Sequence, residues 1–368
     1  MQSPRSPSAN NLVCSTARPR LERVCAVLVL ALGACSRPAP SVTQRPAPSI
    51  SAPQVNAAPP PPGRTDPTCA APLDAPGARA ALRPARGQLV LGVLAGLKDA
   101  NDDNLAHLHR LALEAQRRGA EMLVADGDLG DNSEAQAALL GALLVPAPSA
   151  SAADGGPADA GTLPLLVVAG NRELRSDLDA AEAALRKRGA TITDLSHTRL
   201  VDLGDAVVIG LPGASERRLL RADGACLYAQ SDLDALATFL DKQPPGAPPA
   251  LLVAAMPARG DGAQALDFTD GQNVGDARLT TLLTPARARF GVFAQVWEAG
   301  GRAVDGQGHP LAAGAPAAQL YLNPGAADRT PWPMNDGSSS HGQAALLTLR
   351  AGRASFETIQ DHSEARAP

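Results

Sequence analysis

The amino-acid sequence predicts an α/β fold in which two packed sheets lie between helices. Apolar runs of strand length, such as Leu89–Ala95 and Met122–Asp126, alternate with helical patterns in the first half of the folded part. The later patterns are mainly those of strands. Aromatic residues make up only 2% of the chain, so the core must consist of Leu, Val and Ala. Alternating elements followed by a series of strands are typical of a layered domain with two sheets.

The distribution of charge excludes one class of partner. The chain has 368 residues and a formal net charge of -4, with no basic patch and no interleaving of basic and aromatic residues. Proteins that bind nucleic acid need a positively charged surface to contact the phosphates. We therefore expect no nucleic-acid partner.

The N-terminal residues have the pattern of a secretory signal. Basic residues precede the apolar run Val24–Leu32, which is too short to span a bilayer as a helix and ends in Leu32-Gly33-Ala34-Cys35. This ending resembles a bacterial lipoprotein signal, in which the cysteine becomes the acylated first residue. The resemblance implies cleavage after residue 34 and a membrane partner reached through acyl chains on Cys35. An ordinary signal with Cys35 incidental is the alternative.

These features predict that the protein belongs to the bacterial cell envelope. They also divide the chain into four predicted regions. Ser36 follows the cysteine, which favours the outer membrane, facing the periplasm or the surface. Residues 35–86 are rich in Pro, Ala and Ser and are predicted to be a disordered tether. Residues 87–360 are the predicted domain, with a flexible insertion at 146–162. Residues 1–34 are the predicted signal, and residues 361–368 are a predicted disordered tail.

The first half of the domain is predicted as strands and helices in turn. Asn101 opens the first helix as a candidate N-cap, and Gly119 ends it. The predicted elements are strand Leu89–Ala95, a helix over 101–118, strand Met122–Asp126, a helix to Leu144, strand Leu163–Ala169 and helix Ser176–Arg188.

The second half is predicted to contain fewer helices. Gly204 and Asp205 separate two apolar runs and indicate a hairpin. The predicted elements are the hairpin strands Thr198–Leu203 and Ala206–Leu211, helix Leu233–Gln243, and strands Ala250–Ala255, Arg289–Val296, Gln319–Asn323, Ala344–Arg350 and Ala354–Ile359.

Two acidic turns follow predicted strands, and together they resemble a known family. The motifs are GDLGDN at 127–132 and GNRE at 170–173, accompanied by LPG at 211–213, AQVWEAGG at 294–301 and LNPG at 322–325. Their sequence and spacing resemble the calcineurin-like metallophosphoesterases over about residues 88–350. The resemblance implies a four-layer α/β/β/α sandwich with two mixed sheets. It also implies an ancestral hydrolysis of phosphoesters by two divalent metals, such as Mn, Fe or Zn, about 4 Å apart.

Few of the family's metal ligands have a counterpart in this chain. Asp128 matches the aspartate that bridges the metals, Asn171 matches the ligand amide, and Asp131 and Glu173 match acidic positions of the motifs. Arg172 stands in place of the histidine often assigned as proton donor. The other ligand positions hold Gly96 and Lys98 in the first motif, Ala255 at the isolated histidine, and Gln295 and Trp297 in the last motif.

The substitutions predict a catalytically degenerate site without a metal cofactor. Asp128 and Asn171 alone would bind two metals weakly. The sequence therefore favours a non-hydrolytic binding or structural protein. The alternative is a phosphoesterase with a reduced site built from Asp128, Asp131, Asn171 and Glu173. Lys98 and Arg172 are expected near Asp128, where they either give the pocket an affinity for phosphate-like anions or fill it, with Asp128 then capping the following helix and pairing with Lys98.

The histidines and cysteines are not expected to form a metal site. His107 and His109 lie two residues apart on one helix, so they point in different directions and are expected on a solvated face. His197, His309, His341 and His362 are expected to be exposed or to stabilise loops. Cys69 and Cys226 can pair in an oxidising compartment, but Cys69 lies near the tether, so the sequence favours unpaired thiols and leaves a disulfide open.

Overall fold

The computed structural model describes residues 69–83, 85–147 and 161–361. The predicted signal, Cys35, residues 35–68 of the predicted tether, most of the insertion and the tail beyond Asp361 lie outside the described residues.

The described residues form seventeen strands, five α-helices and two 3-10 helices. The strands are β1 (Arg79–Ala81), β2 (Gln88–Ala95), β3 (Met122–Asp126), β4 (Leu165–Val168), β5 (Ile192–Asp194), β6 (Leu200–Asp202), β7 (Val207–Leu211), β8 (Ala250–Ala254), β9 (Phe268–Thr269), β10 (Gln272–Asn273), β11 (Phe290–Phe293), β12 (Arg302–Val304), β13 (Leu320–Asn323), β14 (Trp332–Pro333), β15 (Ser339–Ser340), β16 (Gln343–Arg350) and β17 (Arg353–Gln360). The helices are α1 (Asp102–Arg117), α2 (Ser133–Ala142), α3 (Arg175–Arg186), α4 (Gln230–Asp241) and α5 (Ala277–Thr280), with 3-10 turns at Arg217–Leu219 and Trp297–Ala299.

Two large mixed sheets organise the fold. The six-stranded sheet has the order β17-β16-β2-β3-β4-β5, in which β2 to β5 are parallel and β16 and β17 are antiparallel to their neighbours. The seven-stranded sheet has the order β1-β6-β7-β8-β11-β13-β12, with a parallel centre from β7 to β13. Two mixed sheets with few helices confirm the predicted fold class.

Three apolar clusters separate four layers. The six-stranded sheet packs one face on α1, α2 and α3, with Leu108, Leu139 and Leu178 at 0% exposure. The other face packs on the seven-stranded sheet, where residues such as Val124 and Val253 meet. The outer face of the seven-stranded sheet is covered by α4 and α5. This arrangement is the α/β/β/α sandwich that the sequence predicts, and its central strands are apolar because both of their faces are buried.

Asparagines, rather than Asp128, begin the helices that follow β2 and β3. Asn101 Oδ1 accepts a hydrogen bond from Asn104 N at 3.0 Å and starts α1. Asn132 Oδ1 accepts from Ala135 N at 2.9 Å and starts α2. The prediction that Asp128 caps the second of these helices is therefore wrong, because the turn places Asn132 next to the free N–H groups.

The fold begins before the predicted boundary at residue 87. β1 pairs in parallel with β6 at the edge of the seven-stranded sheet, and Cys69 forms a disulfide with Cys226. The expectation of unpaired thiols is wrong, since residues 69–83 lie along the folded domain and bring Cys69 to Cys226. At the other end, Asp361 accepts hydrogen bonds from Arg110 and contacts His107.

His107 and His109 do not lie on a solvated helix face. His107 is buried at 2% exposure, and its Nδ1 lies 3.1 Å from Asp361 Oδ2. His109 is half-buried, and its Nδ1 lies 2.9 Å from the carbonyl oxygen of Ala142. The expectation failed because Asp361, directly after β17, covers His107 on one side of α1, and the end of α2 covers His109 on another.

Among the described helices, none is both long enough and apolar enough to cross a membrane.

Candidate functional site

The candidate site lies where the carboxyl ends of parallel strands from both sheets meet. The backbone N–H of Gly96, after β2, donates to the carbonyl oxygen of Gly127, after β3, at 3.1 Å. Gly96 in turn accepts from Asp328 N, beyond β13, at 3.1 Å. In the other sheet, Ala294 N donates to the carbonyl oxygen of Ala255 at 3.1 Å. These turns are placed side by side, as is usual for ligand sites of α/β folds.

Three residues other than glycine at predicted ligand positions have a left-handed backbone. Lys98, Asp128 and Gln295 have φ values of 54°, 49° and 63°. Residues other than glycine rarely adopt this backbone conformation. The strain is tolerated where the surrounding structure holds the backbone in place. Lys98 and Asp128 fix each other, because Lys98 N donates to the carbonyl oxygen of Asp128 at 2.9 Å.

Glu173 links the two acidic turns of the six-stranded sheet. Its side chain is fully buried and accepts hydrogen bonds from Leu129 N and Gly170 N, both at 2.6 Å. Burial first, and then the nearby Asp128 carboxylate, raise the pKa of Glu173 to about 7, although the hydrogen bonds from the two backbone donors lower it. Glu173 therefore has a structural role that holds GDLGDN against GNRE.

Asn171 offers a free acceptor at the same edge. Its Nδ2 donates to the carbonyl oxygen of Leu219 at 2.6 Å, which fixes the amide orientation. Its Oδ1 is buried and accepts no hydrogen bond. The side-chain amide of Asn171 is therefore oriented so that its oxygen atom is free to bind a ligand.

Lys98 places a cation between the two tryptophans of the chain. Its Nζ lies 3.5 Å from the centre of the Trp332 ring and 5.0 Å from that of Trp297. Asp328 Oδ1 lies 3.5 Å from the same Nζ, so the carboxylate partner of Lys98 is Asp328 rather than Asp128. The Lys98 side chain is only 10% exposed, and its burial lowers the pKa, although Asp328 and Asp128 oppose the decrease.

Trp297 occupies the space beside the missing side chain of Gly96. A Cβ at Gly96 would lie 2.9 Å from Trp297 Cη2, closer than carbon atoms pack. Trp297 is 6% exposed and clusters with Ala95, Ala294 and Ala326. An acidic side chain at position 96 and the present position of the Trp297 ring are therefore mutually exclusive.

Three cations surround Asp128. Burial raises the pKa of its carboxyl, and the charges of Lys98, Arg172 and Arg221 oppose this rise. Arg172 also pairs with the exposed Asp131, with its Nε 2.6 Å from Asp131 Oδ1.

Asp126 is a buried carboxyl that the sequence did not suggest for the site. It is 0% exposed, and neither of its carboxyl oxygens accepts a hydrogen bond. Burial first, and then the neighbouring Glu173, raise its pKa well above the ordinary value. Burial therefore disfavours the charged form of the Asp126 carboxyl, because no hydrogen bond stabilises the carboxylate.

This set of side chains does not fit a pair of divalent metals. Asp128 and Asn171 could each supply an oxygen, but the ammonium of Lys98 and the guanidinium groups of Arg172 and Arg221 act on the same carboxylate. Trp297 fills the space at Gly96, and Ala255 has no ligand atom. In residues 69–83, 85–147 and 161–361, the His, Cys, Asp and Glu side chains that could share a metal are Asp179, Asp194 and His197, which lie outside this site.

Sequence reasoning did not identify three residues that determine the character of the site. Asp328 and Trp332 lie beyond the last motif, and Arg221 lies in a loop after the 3-10 helix Arg217–Leu219. The sequence did contain one signal of an aromatic site. Aromatic residues make up only 2% of the chain, yet Trp297 lies within the motif at 294–301 and Trp332 follows the motif at 322–325. No local sequence pattern distinguishes Asp328 or Arg221 from the other charged residues of the chain.

Comparison with known proteins gives structural matches alone. No family model and no curated protein matches the chain. One solved crystal structure aligns with a TM-score of 0.51 and 16% identity over 74% of this chain and all of the other. A dimetal phosphatase from Danio rerio aligns with a TM-score of 0.44 and 13% identity over 74% of this chain and 98% of its own. A purple acid phosphatase from yellow lupin (Lupinus luteus) seeds aligns with a TM-score of 0.42 and 10% identity over 76% of this chain and 52% of its own. The alignment with the first of these structures, at a TM-score of 0.51, shows that the two proteins share a fold, an α/β sandwich.

Proposed function

We propose that the chain is a non-hydrolytic relative of the metallophosphoesterases that acts as a binding or structural protein of the bacterial cell envelope. The observation that carries the proposal is the position of Lys98. Its ammonium, held by Asp328, Trp297 and Trp332, supplies a built-in cation where the family resemblance implies metal ligands. A fixed ammonium neutralises a carboxylate, but it cannot lower the pKa of a bound water as a divalent metal does.

Hydrolysis of p-nitrophenyl phosphate in the presence of Mn²⁺ tests this part of the proposal. We expect the wild-type protein and its Asp128→Ala variant to release p-nitrophenol at the same background rate. Turnover by the wild type that is abolished in Asp128→Ala would contradict the proposal.

A reduced phosphoesterase site remains the second candidate. It is favoured by one observation, the unpaired Oδ1 of Asn171, which is oriented as a ligand would be. That site would use Asp128, Asp131, Asn171 and Glu173. However, Arg172 forms an ion pair with Asp131, and two backbone N–H groups donate hydrogen bonds to the Glu173 carboxylate. The same assay separates the two candidates, because this one requires turnover that depends on Asp128 and Asn171.

A phosphate-like anion is the ligand that the site electrostatics favour. Lys98 Nζ has no hydrogen-bond acceptor, and Lys98, Arg172 and Arg221 place three positive charges around Asp128. Titration calorimetry with inorganic phosphate tests the anion. Heat that is lost in Arg172→Gln supports it, whereas no heat for the wild type limits the site to a structural role or to binding an envelope protein.

The envelope location rests on the pattern that ends at Cys35. We infer that Cys35 carries acyl chains that hold the protein on the membrane. Fractionation of cells tests this inference, with Cys35→Ala expected in the soluble fraction and the wild type in the membrane fraction. Equal distribution of the two proteins would contradict it.

A further inference from the structure

A second cluster of ionisable side chains lies at the edge of the six-stranded sheet. Asp194 is the last residue of β5, Asp179 lies in α3, and His197 follows Asp194 by one turn. His197 Nε2 is 3.2 Å from Asp179 Oδ1 and 3.9 Å from Asp194 Oδ2. All three ligand atoms lie within 4.8 Å of one another. The cluster shares no residue with the site around Asp128.

Asp194 has a buried oxygen that is aimed at this cluster and lacks a hydrogen bond. Its Oδ1 accepts from Ser196 N at 2.7 Å, which fixes the carboxylate. Its Oδ2 is buried and accepts no hydrogen bond, and the whole residue is only 2% exposed. A buried carboxylate oxygen without a donor is costly unless a cation balances it.

Arg175 supplies part of that balance. Its Nη2 lies 3.2 Å from Asp194 Oδ2, and its Nε lies 3.0 Å from Asp179 Oδ1. Its Nη1 donates to the carbonyl oxygen of Cys69 at 2.7 Å. One guanidinium therefore faces two carboxylates, which leaves a net negative charge on these three side chains beside the imidazole of His197.

The ligand set and its spacing suit zinc. Zn²⁺ binds imidazole nitrogen and carboxylate oxygen at about 2.0–2.2 Å in a tetrahedron, which places the ligand atoms roughly 3.3–3.5 Å apart. The separations of 3.2 and 3.9 Å from His197 Nε2 need little adjustment, and the two carboxylate oxygens lie within 4.8 Å of each other. Ca²⁺ and Mg²⁺ prefer oxygen ligands alone. Asp179 and His197 are 47% and 58% exposed, so solvent can supply the fourth ligand.

We propose that Asp179, Asp194 and His197 bind one Zn²⁺ that joins α3 to the end of β5. Arg175 contacts both carboxylates and also donates a hydrogen bond to the carbonyl oxygen of Cys69. The proposed metal site therefore lies beside the disulfide-linked start of the fold. The guanidinium and the metal compete for the same two carboxylates.

Zinc titration of purified, EDTA-stripped protein tests the site. We expect one equivalent of Zn²⁺ at micromolar concentration, together with a rise in Tm of several degrees. Affinity falls by at least about tenfold in His197→Ala and Asp194→Asn, since each loses one inner ligand. It rises by about tenfold in Arg175→Gln, because a competing positive charge is removed.

Two variants serve as controls. His309→Ala removes an exposed histidine that also faces an aspartate, Asp305, and should leave zinc binding unchanged. Asp128→Asn should likewise leave it unchanged, which separates this inference from the proposed function. Since His197 is exposed, His197→Ala is expected to fold normally even if Asp194→Asn does not. Absence of zinc binding in the wild type, or undiminished binding in folded His197→Ala, would overturn the proposal.

Discussion

Gly96 and Trp297 pack against each other in the candidate site. The Trp297 ring lies only 2.9 Å from where a Cβ at position 96 would be, and Gly96 has a φ of 62°. A side chain at position 96 and the present position of the Trp297 ring therefore exclude each other. The ring covers the end of β2, where the family resemblance implies a metal.

Gly96→Ala should lower the free energy of unfolding by about 1–3 kcal/mol, because the new methyl group overpacks the Trp297 ring. Urea denaturation measures the change. Gly271→Ala is the matched control, since Gly271 has a φ of 77° and nothing within 4 Å of an added Cβ, so that it reports backbone strain alone. An equal loss in both variants would mean that the ring does not compete for this space.

The state of Lys98 can be followed by tryptophan fluorescence. The chain has two tryptophans, and Lys98 Nζ lies against both rings. Because burial lowers the pKa of Lys98 below the ordinary value of 10.5, the ammonium loses its proton, and with it the cation–π contacts, at a lower pH than an exposed lysine. We expect a fluorescence transition below pH 10.5 that is lost in Lys98→Met.

The control for this titration is Lys242→Met, in which an exposed lysine after α4 is removed. The transition should persist in that variant. Persistence in Lys98→Met as well would show that another group produces the signal.

At the level of elements, sequence patterns predicted secondary structure better than contacts between distant segments. The apolar runs at β2 and β3 predicted buried strands correctly, because strands covered on both faces need continuous apolar residues. The buried position of His107 was not predicted, because it depends on Asp361, which is 254 residues away. The contacts of Lys98 were not predicted for the same reason, since its partners Asp328 and Trp332 come from the distant segment after β13.

The segment before β1 is attached by a disulfide and by hydrogen bonds, such as those that Arg175 and Arg199 donate to the carbonyl oxygens of Cys69 and Ala71. The Cys69–Cys226 disulfide spans 157 residues, and Cys226 Sγ lies 3.8 Å from the carbonyl oxygen of Glu173. A loop of this length loses considerable entropy in the unfolded chain when it is closed. The disulfide thus stabilises both the start of the fold and the turn that carries Glu173.

Reduction of this disulfide should lower the free energy of unfolding by about 3–5 kcal/mol. Chemical denaturation with and without dithiothreitol measures the loss. The Cys69→Ala/Cys226→Ala variant should be as unstable as the reduced wild type and insensitive to dithiothreitol. If reduction leaves the wild-type midpoint unchanged, the bond does not hold the segment.

At the level of the whole molecule, the two sheets bring motifs from distant parts of the chain to one edge. The residues at Gly96, Asp128 and Asn171 follow strands of the six-stranded sheet, while Ala255 and Gln295 follow strands of the other. The family resemblance that these motifs carry was sufficient to predict this fold. It was not sufficient to predict how the substituted side chains would repack, because that depends on the volume of Trp297 and on the charge of Asp328.

We propose that the edge around Asp128 carries its own cation, Lys98, and an aromatic ring, Trp297, where the family resemblance implies metal ligands. The most direct measurement is the metal content of protein purified in the presence of Mn²⁺, determined by mass spectrometry. The His197→Ala background removes the proposed zinc site from the measurement. We predict the same metal-to-protein ratio, close to zero, in His197→Ala and in His197→Ala/Asp128→Asn. A pair of tightly held metals in the first protein that is lost in the second would contradict the account.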